Sequence, residues 1–215
     1  MELFLNYNNI ENEINDKLKF LKKYNLSDIN KIDIDKLAKC VSQIHSYDLH
    51  QSNLPLYNSQ WVINQITNKD NCKYKNDIIC ALEMMSKMEN YNPSVKLKFD
   101  DKKFLTWDMS NSNWHNEYKT GHIGNYVWDI AVILNYVNNP LFSDTFLESY
   151  INYSNKKLTL ILLYINLYYI QVVEAVMNDN LKIIMPTTKE ILNNNTFKTE
   201  IISYETLSRL QILGY

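Results

Sequence analysis

Residues 95–131 interrupt a sequence whose apolar residues otherwise recur at helical spacing. Apolar and polar residues alternate from Val95 to Phe99 and again from Lys103 to Trp107, which is the pattern of strands with one buried face. Two aspartates lie between these runs, and Asp tolerates the backbone of a tight turn. The stretch therefore predicts a small β-hairpin, then a polar loop rich in Ser and Asn, then a helix from Tyr126 to Val137.

The remaining sequence carries apolar residues at the three- and four-residue spacing of amphipathic helices. Asp33 or Asp35 can cap the second of these helices, and Pro55 opens the third. Met1 to Tyr7 is apolar and is followed by an Asn-containing turn, which predicts a short strand. The predicted helices span roughly residues 10–24, 33–47, 56–67, 71–88, 142–153, 156–179, 187–193 and 199–213.

Length sets the number of domains. A chain of 215 residues is long enough to bury one core well and too short for two comfortable ones. We therefore expect a mainly α fold with a small β-hairpin, forming a single domain over residues 1–215.

Composition argues against several classes of function. The formal net charge of -2 gives no general attraction to nucleic acid. The first glycine is Gly121, so no glycine-rich phosphate loop can precede it. The three cysteines form no C-x-x-C pair, which is typical of free thiols in a reducing cytoplasm. Heavy use of Asn, Ile, Lys and Tyr is typical of an AT-rich genome.

Residues 158–177 are apolar enough to raise the question of a membrane span. Asn166, Gln171 and Glu174 interrupt the run, and a charged or amide group inside a bilayer costs a few kcal/mol. We therefore predict a buried core helix and no membrane span. The N-terminus has no basic region followed by an apolar one, so no secretory signal is predicted and the expected location is the cytoplasm.

Three short motifs resemble one enzyme family. Gly124 to Ala131, GNYVWDIA, looks like the helix start that follows the metal-binding strand of choline/ethanolamine kinases and aminoglycoside phosphotransferases. Thr106-Trp107-Asp108 looks like the metal-binding triplet of that strand, and Gln43-Ile44-His45 resembles the family's "leucine-His" helix end. The sequence therefore resembles the C-terminal lobe of this protein-kinase-like family, with degenerate catalytic motifs.

The resemblance implies which lobe the chain represents. Met1 to Tyr7 would be the hinge strand that joins the two lobes and faces the adenine of the nucleotide. The chain would then be a truncated kinase-like fold without its N-terminal lobe. The family's cofactors are magnesium and ATP, and phosphoryl transfer depends on metal ions and on a base that orients the nucleophile.

In a first alignment, residues 88–95 take the place of the family's catalytic loop. Met88 then replaces the His, Asn90 the catalytic Asp and Val95 the metal-binding Asn. Thr106 replaces the second metal-binding Asp. Asn90 can accept a hydrogen bond but cannot take a proton, and hard magnesium prefers carboxylate oxygen to Val or Thr. This alignment predicts a pseudokinase with no cofactor.

The catalytic loop of the family has the form H-x-D-x4-N. A second alignment places this loop at Thr106 to Asn113, where Asp108 and Asn113 have the Asp-x4-Asn spacing. Asp108 would then be the catalytic base and Asn113 a metal ligand. Only about a dozen loop-like residues would remain before the helix that carries Asp129, too few for two more strands of five or six residues each. We prefer the first alignment for this reason, and the second stays as the alternative.

The polar loop offers candidate ligand-binding residues. Trp107, Trp114 and Tyr118 with Asp108 could form an aromatic cage for a small cation, because a cation gains about 0.5–2 kcal/mol over each aromatic face. In the alternative interpretation Trp107 and Trp128 pack under the hairpin. His115, Glu117 and His122 have metal-binding side chains without a recognised spacing, so no metal site is predicted. The resemblance gives His45 and Asp129 structural roles.

These expectations lead to three hypotheses about function. The first is a degenerate choline/aminoglycoside-kinase-like protein that binds a small cationic ligand or a protein partner without phosphoryl transfer. The alternatives are an active ATP-dependent small-alcohol phosphotransferase, using Asp108 and Asn113, and a helical interaction protein unrelated to kinases. An exposed strand edge at Met1 to Tyr7 would favour self-association.

Overall fold

A computed structural model describes residues 2–26, 28, 33–47, 49, 53–69, 73–91, 102–137, 139–156 and 158–194, without the side chains of residues 2–8 and 91. The described chain is mainly helical with two small sheets, which confirms the predicted fold class at that level. The described residues form eight α-helices: α1 (Glu2–Leu21), α2 (Ile34–Ile44), α3 (Ser59–Thr67), α4 (Lys75–Tyr91), α5 (Val127–Val137), α6 (Pro140–Ser154), α7 (Leu160–Met177) and α8 (Met185–Asn193).

The strands are short. They are β1 (Leu56–Tyr57), β2 (Lys102–Leu105), β3 (Trp107–Asp108), β4 (Asn113–Trp114) and β5 (His122–Asn125). One sheet has the order β1-β5-β2, and the other pairs β3 with β4. Short 3-10 helices lie at Tyr118–Thr120 and Leu181–Ile184.

The chain divides into two compact units. Unit 1 comprises Met1–Leu56 and Phe99–Leu158, and unit 2 comprises Tyr57–Lys98 and Thr159–Tyr215. The single domain expected from chain length stays a prediction.

Unit 1 has a helical core beside the sheets. α2 packs against α6 and α1, and α5 packs against α6. Asp33 caps α2 by accepting a hydrogen bond from the Lys36 backbone N–H, as its sequence position predicted. β2 runs antiparallel to β5, with Lys103 opposite Gly124. These contacts bring the polar loop and the start of α5 against the same helical core.

Unit 2 is helical. α4 packs against α3, α7 and α8, and α3 also contacts α7. α7 is the one helix of the described residues that is long and apolar enough to cross a membrane, and 61% of that stretch is buried. A core helix has the same length and composition, so this helix is weak support for a membrane span.

Several predicted elements differ from the observed ones. The strand at Met1 to Tyr7 is wrong for residues 2–7, which begin α1, so a strand edge for self-association does not exist there. Leu56 and Tyr57 form a strand and the next helix starts after the Asn58 cap, not at Pro55. Pro186 lies in the first turn of α8. Proline is compatible with that turn because its missing N–H needs no partner there.

The predicted hairpin is only partly within the described residues. Its second strand exists as β2 and β3, with Thr106 between them. The first strand, Val95 to Phe99, lies outside the described residues, as does the helix expected at 199–213. The described partner of β2 is β5, more than 15 residues further along the chain.

Candidate functional site

Asp129 is the centre of a buried polar network in unit 1. Its side chain has no solvent exposure. Oδ2 accepts hydrogen bonds from Thr106 N at 2.6 Å and Thr106 Oγ1 at 2.8 Å, and Oδ1 accepts one from Trp107 N at 3.3 Å. A carboxylate with several donors can be buried because its lost hydration is replaced. Asp129 thereby fixes the backbone immediately before Asp108.

His45 extends this network to two helices. Its Nε2 lies 3.0 Å from Asp129 Oδ2, and its Nδ1 lies 2.8 Å from the hydroxyl of Tyr150 on α6. Burial lowers the pKa of His45, although the Asp129 carboxylate opposes the shift. A neutral imidazole then donates from Nε2 to Asp129 and accepts the Tyr150 proton at Nδ1. This fully buried arrangement gives both His45 and Asp129 an organising role.

The turn between β3 and β4 displays Asp108 and Asn113. Trp107 lies opposite Trp114, and Asp108 lies opposite Asn113. Residues opposite each other in an antiparallel pair point to the same face, and the next pair points to the other face. Because the tryptophan pair is buried, the carboxylate and the amide lie on the more exposed face. Ser112 has a φ of 48°, which closes the turn.

The Asp108 carboxylate is engaged within its own turn. Oδ1 accepts a hydrogen bond from Ser110 N at 2.9 Å, and Oδ2 accepts one from Asn111 Nδ2. Asn113 Oδ1 accepts the Trp114 backbone N–H. This pattern is that of an Asp that shapes a loop by bonding to backbone and side-chain donors two and three residues later.

In the second alignment the motif ends at Asn113, where β4 begins. Among the described residues, β5 is then the one strand that lies wholly between Asn113 and the helix that carries Asp129. The spatial objection to the second alignment therefore remains. In the first alignment, Met88 and Asn90 lie in the last turns of α4 and not in a loop. Val95 lies outside the described residues.

The aromatic residues of the predicted cation cage are buried. Trp107, Trp114 and Tyr118 are only 4%, 3% and 7% exposed. Trp107 packs edge-on against Trp114, with ring centroids 4.9 Å apart, and Tyr118 stacks on Phe104 at 5.4 Å. Trp114 also donates from Nε1 to Tyr24 O at 2.8 Å. The predicted cage is therefore wrong, because these rings form part of the unit 1 interior. Trp128 is buried there too.

Two histidines lie together beside the turn. His122 Nδ1 is 3.4 Å from His115 Nε2, and the rings stack. Burial and the neighbouring imidazole lower the pKa of His122 to about 4, and burial also lowers that of His115. Both rings are therefore neutral near pH 7. Within the described residues no three His, Cys, Asp or Glu side chains form a group suited to a metal ion.

Unit 2 holds a polar cluster that the sequence did not indicate. Tyr169 on α7 donates from its hydroxyl to Glu89 Oε2 on α4 at 3.2 Å, and Ser59 Oγ lies 2.9 Å from Ser86 Oγ. Burial raises the pKa of Glu89 to about 7, although the Tyr169 hydrogen bond opposes the shift. The apolar residues of α4 recur at helical spacing, and Glu89 lies four residues after one of them, Met85. This spacing is the one sequence signal that could have indicated a position for Glu89 on the buried face of the helix.

Comparison with protein-family models, with curated proteins and with solved structures found no match to this chain. The resemblance to choline and aminoglycoside kinases therefore rests on the motifs at residues 43–45, 106–113 and 124–131.

Proposed function

We propose that this chain is a degenerate protein of the choline/aminoglycoside-kinase-like type, which binds a ligand or a protein partner without phosphoryl transfer. The kinase-like part of the proposal is supported by the place of Asp129. This residue belongs to the GNYVWDIA motif, and its carboxylate holds the backbone just before Asp108. His45, from the motif at the end of α2, supports the same carboxylate.

The loss of catalysis rests on one observation, the hydrogen bonding of Asp108. Its two oxygens accept hydrogen bonds from Ser110 and Asn111 within the turn. A base for phosphoryl transfer must accept the proton of the substrate hydroxyl, and magnesium needs further oxygen ligands nearby. The described residues offer no cluster of carboxylates at this turn. Asp108 therefore serves the shape of the loop.

A second candidate is an active phosphotransferase that uses the second alignment, with magnesium and ATP as cofactors. It is favoured by the common face of Asp108 and Asn113, which are directly opposite each other across β3 and β4. In this case substrate binding would release Asp108 from its turn, and Asn113 would contribute an oxygen to magnesium.

The two candidates predict different turnover. The degenerate protein has no turnover, with or without Asp108→Asn, whereas the active phosphotransferase has turnover that Asp108→Asn abolishes. The wild-type chain and this variant are incubated with magnesium, ATP and choline, and phosphocholine and ADP are measured. We expect no turnover by either protein. The thermal midpoint of each is measured with magnesium-ATP and with choline separately, since a ligand that binds only the folded state raises the midpoint.

The matched control is Asp144→Asn, which removes an exposed carboxylate from α6 in the same unit. Turnover by the wild-type chain that is lost in Asp108→Asn and kept in Asp144→Asn would refute the degenerate assignment and establish the second candidate. Turnover that survives both substitutions would refute the proposed roles of Asp108 in both candidates.

A further inference from the structure

An apolar cleft lies between α4 and α7 in unit 2. It has a volume of about 190 Å³ and is lined by Met85, Met88, Leu160, Ile161, Tyr164 and Ile165. Leu160, at the start of α7, is 83% exposed. Burial of each CH₂ group contributes about 0.8 kcal/mol of favourable free energy. A large apolar side chain as exposed as this one does not gain that free energy. The cleft therefore offers apolar surface to a small molecule.

The Glu89 carboxyl group lies one helical turn from this cleft. Met85 and Glu89 are four residues apart on α4, and Ile165 and Tyr169 are four residues apart on α7. Residues at this spacing share a helix face, and one turn advances about 5.4 Å. Met85 and Ile165 line the cleft, and Glu89 accepts a hydrogen bond from Tyr169. The cleft and the carboxyl group are thus successive layers of one helix–helix seam.

Glu89 has little to stabilise its negative charge. Among the described residues it takes part in no ion pair, and it accepts one hydrogen bond, from the Tyr169 hydroxyl. Burial accordingly raises its pKa to about 7. The charge of Glu190 on α8 contributes to the raised pKa of Tyr164, so a second carboxylate lies near the cleft. A cation beside Glu89 would supply the missing partner.

We infer that this α4/α7 seam binds a small amphiphilic cation, with its apolar part in the cleft and its ammonium group against the Glu89 carboxylate. The inference does not depend on the kinase-like proposal, which rests on unit 1. The size of the cleft suits a short alkyl chain: an engineered apolar cavity of about 150 Å³ already holds benzene. The ammonium group donates to the carboxylate in place of the proton that Glu89 otherwise holds.

The test uses hexylammonium as the probe and hexanol as its uncharged counterpart. The ε-methyl groups of the methionines are labelled with ¹³C, and their chemical shifts are followed during titration at pH 8. Met85 and Met88 lie in the cleft, and Met84, which is not a lining residue, serves as an internal control. We expect saturable shifts at the two cleft methionines and about tenfold tighter binding of hexylammonium than of hexanol.

Two pairs of variants assign the contacts. Glu89→Gln should weaken hexylammonium about tenfold and leave hexanol unchanged, whereas Glu83→Gln, an exposed carboxylate on the same helix, should change neither. Leu160→Ser should weaken both probes, and Ile183→Ser, which alters another exposed apolar residue of unit 2 (68% exposed), should weaken neither. These variants change a partly buried carboxyl to its neutral isostere or change exposed residues, so they should fold.

Lowering the pH gives an independent check. Protonation of Glu89 below pH 7 must be reversed before the cation binds, so hexylammonium affinity should fall about tenfold for each pH unit below 7. Tyr169 is the titratable group of the described residues that acts on Glu89, and its raised pKa keeps it neutral in this range. An unchanged preference for the amine in Glu89→Gln, or no saturable shift at Met85 and Met88, would overturn the inference.

Discussion

Asp129 is a carboxylate with no exposure to solvent, and its burial is tolerated because donors from two segments surround it. An isolated buried charge would cost several kcal/mol, and the hydrogen bonds offset this cost. The donors are backbone N–H groups of residues 106 and 107 and the side chains of Thr106 and His45. At the scale of single residues, this carboxylate ties the segment before the Asp108 turn to the helical core of unit 1.

Replacement of Asp129 by Asn should destabilise unit 1 strongly. The amide group has only one acceptor oxygen, so its NH₂ group would face a backbone N–H or His45 Nε2 and leave buried donors without acceptors. We expect a loss of about 3 kcal/mol in the free energy of unfolding, measured by chemical denaturation. Asp144→Asn is the exposed control and should change it by less than about 0.5 kcal/mol. Equal small effects of the two substitutions would contradict the stabilising role of Asp129.

At the scale of helices and strands, side-chain caps determine where four helices begin. Asp33, Asn58, Asn139 and Thr159 each accept a hydrogen bond from a backbone N–H in the first turn of α2, α3, α6 and α7. The first N–H groups of a helix have no partner within the helix, so such caps stabilise its start. The pairing of strands has no comparable local signal, because β2 pairs with β5, which lies more than 15 residues further along the chain.

Thr159→Ala should cost about 1 kcal/mol in the free energy of unfolding of unit 2, because the Leu162 N–H loses its acceptor. Chemical denaturation followed by circular dichroism measures this loss. Thr67→Ala is a suitable control, since Thr67 lies in α3 of the same unit and its hydroxyl bonds to the Ile63 carbonyl four residues earlier. That bond adds little to a helix. If both alanine variants lose the same stability, the cap of α7 is not what stabilises its first turn.

At the scale of the whole molecule, the two units carry titratable groups with opposite effects on stability. His45, His115 and His122 in unit 1 have pKa values lowered by burial. The unfolded chain then binds protons more readily below the ordinary His value of 6.5, so acid destabilises unit 1. Glu89 in unit 2 has its pKa raised from 4.5 to about 7. Its contribution to stability is present below pH 4.5 and is lost as the pH rises to 7.

Hydrogen exchange resolved by residue should separate these effects. Exchange rates of the backbone amides are measured at pH 7.5 and at pH 5 and are corrected for the intrinsic rate at each pH. On lowering the pH, we expect the protection of these amides from exchange to fall in α5 of unit 1 and to rise in α4 and α7 of unit 2. The contribution of Glu89 is at most about 3 kcal/mol, the equivalent of its change in pKa.

Glu89→Gln provides the decisive variant for this experiment. It should remove the rise in unit 2 protection at low pH, and Glu83→Gln should preserve it, because Glu83 is exposed on the same helix. The explanation would be wrong if unit 2 kept its pH dependence in Glu89→Gln. It would also be wrong if protection in both units changed in the same direction in the wild-type chain.

Sequence patterns alone were enough to establish the mainly helical class, the approximate helix positions and the cap at Asp33. These features depend on residues within a few positions of one another, because helical spacing and capping bonds are local. Local patterns also located the second strand of the hairpin at residues 103–107. They failed at residues 2–7, where an apolar run is compatible with either strand or helix.

The way these elements combine could be learned only from the folded structure. His45 lies 84 residues before Asp129 and 105 before Tyr150, and no local pattern pairs them. The burial of Trp107, Trp114 and Tyr118, which removed the predicted cage, follows from packing that brings distant segments together. Glu89 likewise gains its raised pKa only where α7 excludes water from α4. The burial of a side chain and its hydrogen-bond partners depend on contacts between segments that are distant in the sequence. Residue spacing within one segment therefore cannot specify them.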